Sequence, residues 1–329
     1  MRPPPPEVDA FLAHRPLAAA DVKVSPEPIT VEDAFILDLY TFFHARDYAT
    51  FKLEYPGELG GSSIAHLLIP PGEGRRPTVV VFDILAGGHV VGEAMAKALV
   101  RRGFLVARLE RADLRLDTAE SADVPARTLR GALLDARRLL DYLETRPDVD
   151  TERIGTVGIS LGSILACLLQ GTDPRVRAGV YIMSGGDIAA ILGDSTEVPV
   201  RIFRENTMKR DGLASEVEFV ARMRPLIDPL DPLRIAARIE PHTVLFMNAR
   251  LDRVIRPRHA MKLWYALGKP ERVELPFGHY QLLPFFWWSM ARGADHLERV
   301  FAEVNTPSRD PERAPSRCGY DGTTLRCGP

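Results

Sequence analysis

The chain has 329 residues, 46% of them apolar and 26% charged, the balance of a folded globular protein rather than a disordered one. Its 42 Lys and Arg against 44 Asp and Glu leave no overall basic field to recruit nucleic acid or an anionic membrane surface. No apolar run reaches the roughly 20 residues needed to span a bilayer, and three cysteines are too few for a disulfide framework.

Residues 1 to about 30 are rich in proline (Pro3 to Pro6, Pro16, Pro26, Pro28) and read as extended. The opening stretch has no apolar segment before a small-residue cleavage site, so no secretory leader is expected and the cytoplasm is the default address. Phe35, Leu39, Phe42 and Phe43 share one helical face. FKLEY, the turn PGELGGS and IAHLLIP follow as a hairpin, and from there strands and helices alternate.

TVVVFDIL (78–85) is a continuous apolar run closed by Gly87 and Gly88, the pattern of a strand buried on both faces. The helix VVGEAMAKALVRRG, the strand FLVARLE and a long helix beginning PARTLRGALL come next. They are followed by the strand RIGTVGIS, the helix LGSILACLLQG with Cys167 as a small buried hydrophobe, and the strand VRAGVYIMS. After residues 185–240 come TVLFMNA, the helix PRHAMKLWYALG, the strand ERVELP and a final helix from about Pro284 to Val304. Such alternation implies an α/β fold with a mostly parallel central sheet and helices on both faces. Residues 185–240 break the rhythm, and their apolar patches read as a small helical insertion over one sheet edge. The tail from about Thr306 is polar and turn-rich, and Cys318 and Cys327 in it read equally as a disulfide or as two free thiols.

The sharpest chemical signal is Gly158-Ile159-Ser160-Leu161-Gly162 between a buried strand and an apolar helix. A turn this tight strains its central residue, and glycine two positions to either side relieves the crowding. Ser160 is thereby presented at the carboxyl end of the sheet and at a helix N-terminus, where negative charge is favoured. A bare G-x-S-x-G match is weak; its place between strand and helix makes it strong. A serine hydroxyl needs a base, and the base an orienting acid. TVLFMNA is followed by Asp252, and ERVELP by His279 beside Gly278, which gives the order Ser160, Asp252, His279. Asp187, two glycines beyond VYIMS, competes for the acid's role, while Asp228 and Asp231 read as turn and cap residues.

On these motifs, residues 50–305 resemble the α/β-hydrolase superfamily, in the style of its dienelactone-hydrolase-like, esterase and prolyl-oligopeptidase branches. Serine rather than cysteine at position 160 departs from true dienelactone hydrolases, so that activity is not implied. The resemblance implies an oxyanion hole made by the N–H of Leu161 and a second N–H from Ile84, with Leu85 the alternate. It divides the chain into an N-terminal extension with one helix (1–50), a hydrolase domain with its insertion (51–305) and a tail (306–329).

The expected activity is that of a serine esterase: a small-molecule carboxylic ester as substrate, an acyl-enzyme intermediate, no cofactor and no metal. A peptidase or amidase on the same triad and a non-catalytic binding protein on the same fold are the rivals. Phe285, Phe286, Trp287 and Trp288 could wall an acyl pocket, although core packing or a homodimer surface is the plainer reading. Arg201, Arg204 and Arg210 in the insertion would suit an acidic substrate, against the plainer reading of a solvated face.

Overall fold

Strands that carry unbroken apolar runs can be buried on both faces, and central strands of this protein such as Arg76–Phe82, with its run Val79 to Phe82, do so. The computed structural model describes residues 6–27, 48–85, 89–110, 116, 118–304, 318–320 and 325–327. Its main sheet, among the described residues, begins with β1 (Lys23–Pro26), β2 (Ala49–Pro56) and β3 (Ser62–Ile69). It continues in spatial order with β5 (Leu105–Glu110), β4 (Arg76–Phe82), β6 (Val149–Ile159), β7 (Val176–Ile182), β8 (Val244–Ala249) and β9 (Glu271–Leu275). The first pairings, as far as β3 with β5, are antiparallel; those from β5 onward are all parallel.

Alternate side chains of these strands feed two cores. Val80, Phe82 and Phe246 pack with α3 (Val124–Glu144), α4 (Leu161–Thr172) and α9 (Pro257–Ala266) on one face. Val79, Val81 and Met247 pack with α2 (Val90–Val100) and α10 (Phe286–Val304) on the other. Each such side chain, fully buried, contributes about 1.5–3 kcal/mol of transfer free energy. Cys167 is buried in α4, and burial pushes its thiol pKa up, so it behaves as a small hydrophobe.

The topology leaves one crevice. From β4 the chain crosses to β5 on one side and returns to β6 on the other, so strand order reverses between β4 and β6. Loops leaving two such strands diverge to opposite faces, and ligands of open α/β sheets bind in the gap outside their carboxyl ends. Phe82 is level with Gly158 across that pair, which sets Asp83–Leu85 beside Ser160.

Two expectations need correction. The N-terminal segment is not simply extended: it forms α1 (Pro6–Phe11) and contributes β1 to the sheet edge. Proline is well suited to a first helical position, and the helix end is satisfied by α3, where Arg130 Nε donates to the Phe11 carbonyl and Arg137 Nη1 to that of Leu12. Val8, Leu12 and Leu17 are buried there, which drives the docking. The insertion comprises α5 (Ile188–Asp194), α6 (Val198–Asp211), α7 (Glu216–Ile227) and α8 (Pro232–Ile235). Its α5 and the start of α6 lie over the carboxyl ends of the central strands rather than over a sheet edge, since Ile188, Ile191, Leu192 and Val200 share a cavity with Ser160. The helix expected around Phe35 to Phe43 and most of the tail lie outside the described residues. Within the tail, β10 (Cys318–Tyr320) and β11 (Leu325–Cys327) pair antiparallel, with Cys318 opposite Cys327. No helix among the described residues is long and apolar enough to cross a membrane.

Candidate active site

Ser160 joins β6 to α4 at φ 57° and ψ −123°, a backbone state that costs a non-glycine residue about 1–3 kcal/mol. Its surroundings over-determine it. The Ser160 N–H donates to the Ile182 carbonyl at 2.8 Å, and its own carbonyl accepts from the Ser163 N–H at 3.0 Å. Both flanking glycines are required by close approach: a Cβ on Gly158 would lie 2.1 Å from the Gly162 carbonyl oxygen, and one on Gly162 would lie 2.5 Å from that of Phe82. With no side chain at 162, α4 seats directly on the end of β4. Leu161, the first residue of α4, has no acceptor within its helix for its N–H, and it shares the crevice with Ile84 and Leu85.

His279 lies in the loop after β9. Its Nε2 is 3.0 Å from Ser160 Oγ, and its Nδ1 is 2.7 Å from Asp252 Oδ2. The carboxylate accepts from Nδ1–H, a tautomer that leaves Nε2 to accept from the serine hydroxyl. Asp252 is 4% exposed, and its Oδ1 accepts the N–H groups of Val254 and Ile255 at 2.8 and 2.9 Å. The acid loop is stitched to the histidine loop by Arg250 N–H to Leu275 and Leu251 N–H to Phe277 carbonyls. The structure thus brings together the three residues that sequence spacing singles out.

Asp187 takes no part in this relay. Its carboxylate receives Lys262 Nζ at 2.6 Å and Arg224 Nη2 at 2.9 Å. Burial works to raise its pKa, but the two cations outweigh burial and hold it below the usual carboxylate range. Asp231 caps α8 through the Leu233 N–H, and also accepts the N–H groups of Asp187 and Ile188. Other histidines have acidic partners away from Ser160: His14 faces Asp141, His66 faces Glu27 and Glu110, and His259 faces Asp194.

Asp83, immediately before Ile84, accepts from Arg108 Nη1 at 3.0 Å and has His89 Nδ1 at 3.2 Å. This buried pair pins the root of the 84–85 loop, and the hydrogen bond to Asp83 raises the His89 pKa. A Cβ at Gly92 would lie 1.5 Å from Asp83 Oδ1, so a larger residue there would push the carboxylate out of its place beside Arg108.

A cavity of about 280 Å³ opens beside Ser160 and His279. Ile188, Ile191, Leu192 and Val200 of the insertion form its roof, and Leu116 and Leu129 are among its remaining lining residues. Spacing arguments assign none of these to the site, although the apolar IAAIL run was the visible signal. Of the four clustered aromatics, only Phe286 is among the cavity's described lining residues; Phe285 and Trp288 are about half exposed. Arg201, Arg204 and Arg210 are absent from that lining. Arg204 donates to the Leu192 and Ser195 carbonyls, Arg210 binds Asp211, and Arg201 faces Glu205. The solvated or structural reading of these arginines therefore stands. Among the described residues no group of three or more His, Cys, Asp or Glu could hold a metal.

No family model matches the chain. Among curated proteins it is 29% identical over 235 residues to the mitochondrial acyl-coenzyme A thioesterase 2 of Rattus norvegicus, covering 68% of this chain and 49% of that one. It is also 29% identical over 130 residues to a probable 2-oxo-3-(5-oxofuran-2-ylidene)propanoate lactonase of a Bradyrhizobium species, covering 38% and 52%. The chain thus spans about half the length of these curated relatives. Among solved structures, the acetyl xylan esterase of Paenibacillus sp. R4 superimposes with a TM-score of 0.64 at 20% identity, covering 88% of this chain and 92% of that one. The sheet order, the strained serine turn and the superposition agree on one architecture: the chain has the α/β-hydrolase fold.

Proposed function

We propose that the protein is a serine hydrolase of carboxylic esters, with Ser160 as nucleophile, His279 as general base and acid, and Asp252 as the orienting carboxylate. The observation that carries this reading is the continuous relay from Asp252 Oδ2 through the imidazole to Ser160 Oγ, at 2.7 and 3.0 Å. His279 Nε2 takes the hydroxyl proton as Oγ attacks the carbonyl carbon, and Asp252 stabilises the imidazolium that forms. The N–H groups of Leu161 and of Ile84, or alternatively Leu85, receive the oxyanion; a hole donor of this type is worth about 3–4 kcal/mol in the transition state. The imidazolium then protonates the leaving oxygen. Water, deprotonated by the same imidazole, releases the acid and restores the serine.

The names of the relatives support the reading at the level of bond type, since a thioesterase, a lactonase and an acetyl xylan esterase each open an acyl–sulfur or acyl–oxygen bond. The test is turnover of p-nitrophenyl esters beside aminoacyl p-nitroanilides, with Ser160→Ala as control. Ester turnover that Ser160→Ala loses, with the fold intact by circular dichroism, is the expected result. Preferred anilide cleavage would favour an amidase, and the absence of any turnover a binding protein.

A further inference from the structure

We infer that the acyl half of the substrate is a straight, unsubstituted aliphatic chain of roughly eight to ten carbons, seated in the cavity between the insertion and the ends of β4 and β6. This assignment rests on the serine-esterase reading and deepens it. Ser160 and His279 are part of the cavity wall, so whatever fills the cavity is attached to the reacting carbonyl or lies against it.

The chemistry of the wall selects the occupant. Among the described lining residues the polar ones are Ser160, Ser195, Glu197, His279 and Tyr280, and the rest are apolar. Two of the five form the relay. Glu197 accepts the Tyr280 hydroxyl, and the Glu197 N–H donates to Ser195 Oγ. A sugar hydroxyl or amide carried into this space would lose its water and find almost no partner, a cost of about 1–3 kcal/mol for each group. An acidic acyl group meets no Lys or Arg among the described lining residues, and Glu197 would repel it. An alkyl chain loses nothing of this kind and gains at each methylene.

The volume sets the length. At about 280 Å³ the space is roughly twice the ~150 Å³ apolar cavity that holds benzene with its six carbons. Leu129 on α3 and Val200 on α6 are buried residues of the wall contributed by elements other than the serine turn. A fully buried methylene corresponds to about fourfold in kcat/KM, and a partly open cavity realises a fraction of that.

The test is kcat/KM for p-nitrophenyl esters from acetate to hexadecanoate, run beside fluorophosphonate labelling of the same full-length preparation. The expected result is labelling at Ser160, a rise of at least tenfold from acetate to octanoate, and a decline beyond about twelve carbons. Val200→Phe and Leu129→Phe, each of which puts a larger side chain into the cavity wall, should lower the octanoate-to-acetate ratio at least fivefold while still taking the label. Labelling at Ser160 with acetate preferred, or with a flat series, would overturn the chain-length assignment and leave the esterase reading standing. Absence of both label and turnover, or undiminished turnover by Ser160→Ala, would overturn that reading and this assignment with it.

Discussion

Asp252, and not Asp187, reaches the imidazole of His279, its Oδ2 lying 2.7 Å from Nδ1. Both acids follow a parallel strand at the correct end of the sheet, so position alone could not choose between them. What separates them is partnership: Asp187 is already occupied by Lys262 and Arg224. Asp252→Asn should therefore cost on the order of 10⁴-fold in kcat by presenting the wrong tautomer to Ser160. Asp187→Asn should stay within about tenfold of the parent and act on stability instead. Steady-state kinetics on the two variants, with melting temperatures alongside, check the assignment; a crippled Asp187→Asn with an active Asp252→Asn would reverse it.

Gly162 is where backbone packing and chemistry meet. A methyl group there would lie 2.5 and 2.8 Å from the carbonyl oxygens of Phe82 and Asp83. These are main-chain atoms that cannot swing aside, so α4 must move off β4. Gly162→Ala should lower stability by about 1–3 kcal/mol. Displacing the Leu161 N–H by about 1 Å from the 84–85 loop should lower kcat/KM on the order of 10²-fold. Denaturant titration and ester kinetics on the same variant test this, and an unchanged kcat/KM in a folded Gly162→Ala protein would remove Leu161 from the oxyanion hole.

The elements legible in the sequence are those whose cause is local. Unbroken apolar runs such as TVVVF and strong helical periodicity in residues 124–144 identify the strands and helices around the sheet. Gly158 and Gly162 mark a turn that no other residue could make. The rest depends on contacts between distant segments. α1 forms because Arg130 and Arg137, more than a hundred residues away, hold the carbonyls at its end. Likewise the insertion's location over Ser160 could not be read from its apolar pattern, which shows that a face is buried but not against what. Asp252 is favoured over Asp187 already by the loop that runs from it through Val254, Ile255, Arg256 and Pro257 into a helix, but that Asp187 has found cations is visible only in three dimensions.

Asp231 gives the fold a pH dependence of defined sign. Burial raises its pKa from 3.8 to about 6, the N–H groups of Leu233, Ile188 and Asp187 work against that rise, and the Asp187 charge adds to it. Between those pH values the folded chain keeps a proton that the unfolded chain has lost. Its contribution to stability is thus fully present below about pH 4 and is lost as pH rises through about 6. Relative to Asp231→Asn, which stays neutral, the parent protein should lose stability between pH 4 and 7 in urea titrations. A parent that gains on the variant over that range would contradict the shift.

In the proposed mechanism one hydroxyl, that of Ser160, is made nucleophilic by His279. The most direct measurement is peptide-level mass spectrometry of the full-length protein after treatment with a fluorophosphonate, with His279→Ala treated in parallel. A single adduct is expected on the peptide carrying Ser160, formed in step with loss of ester turnover, and essentially none in His279→Ala. An unmodified Ser160 in protein that still hydrolyses esters, or equal labelling without the imidazole, would contradict that mechanism.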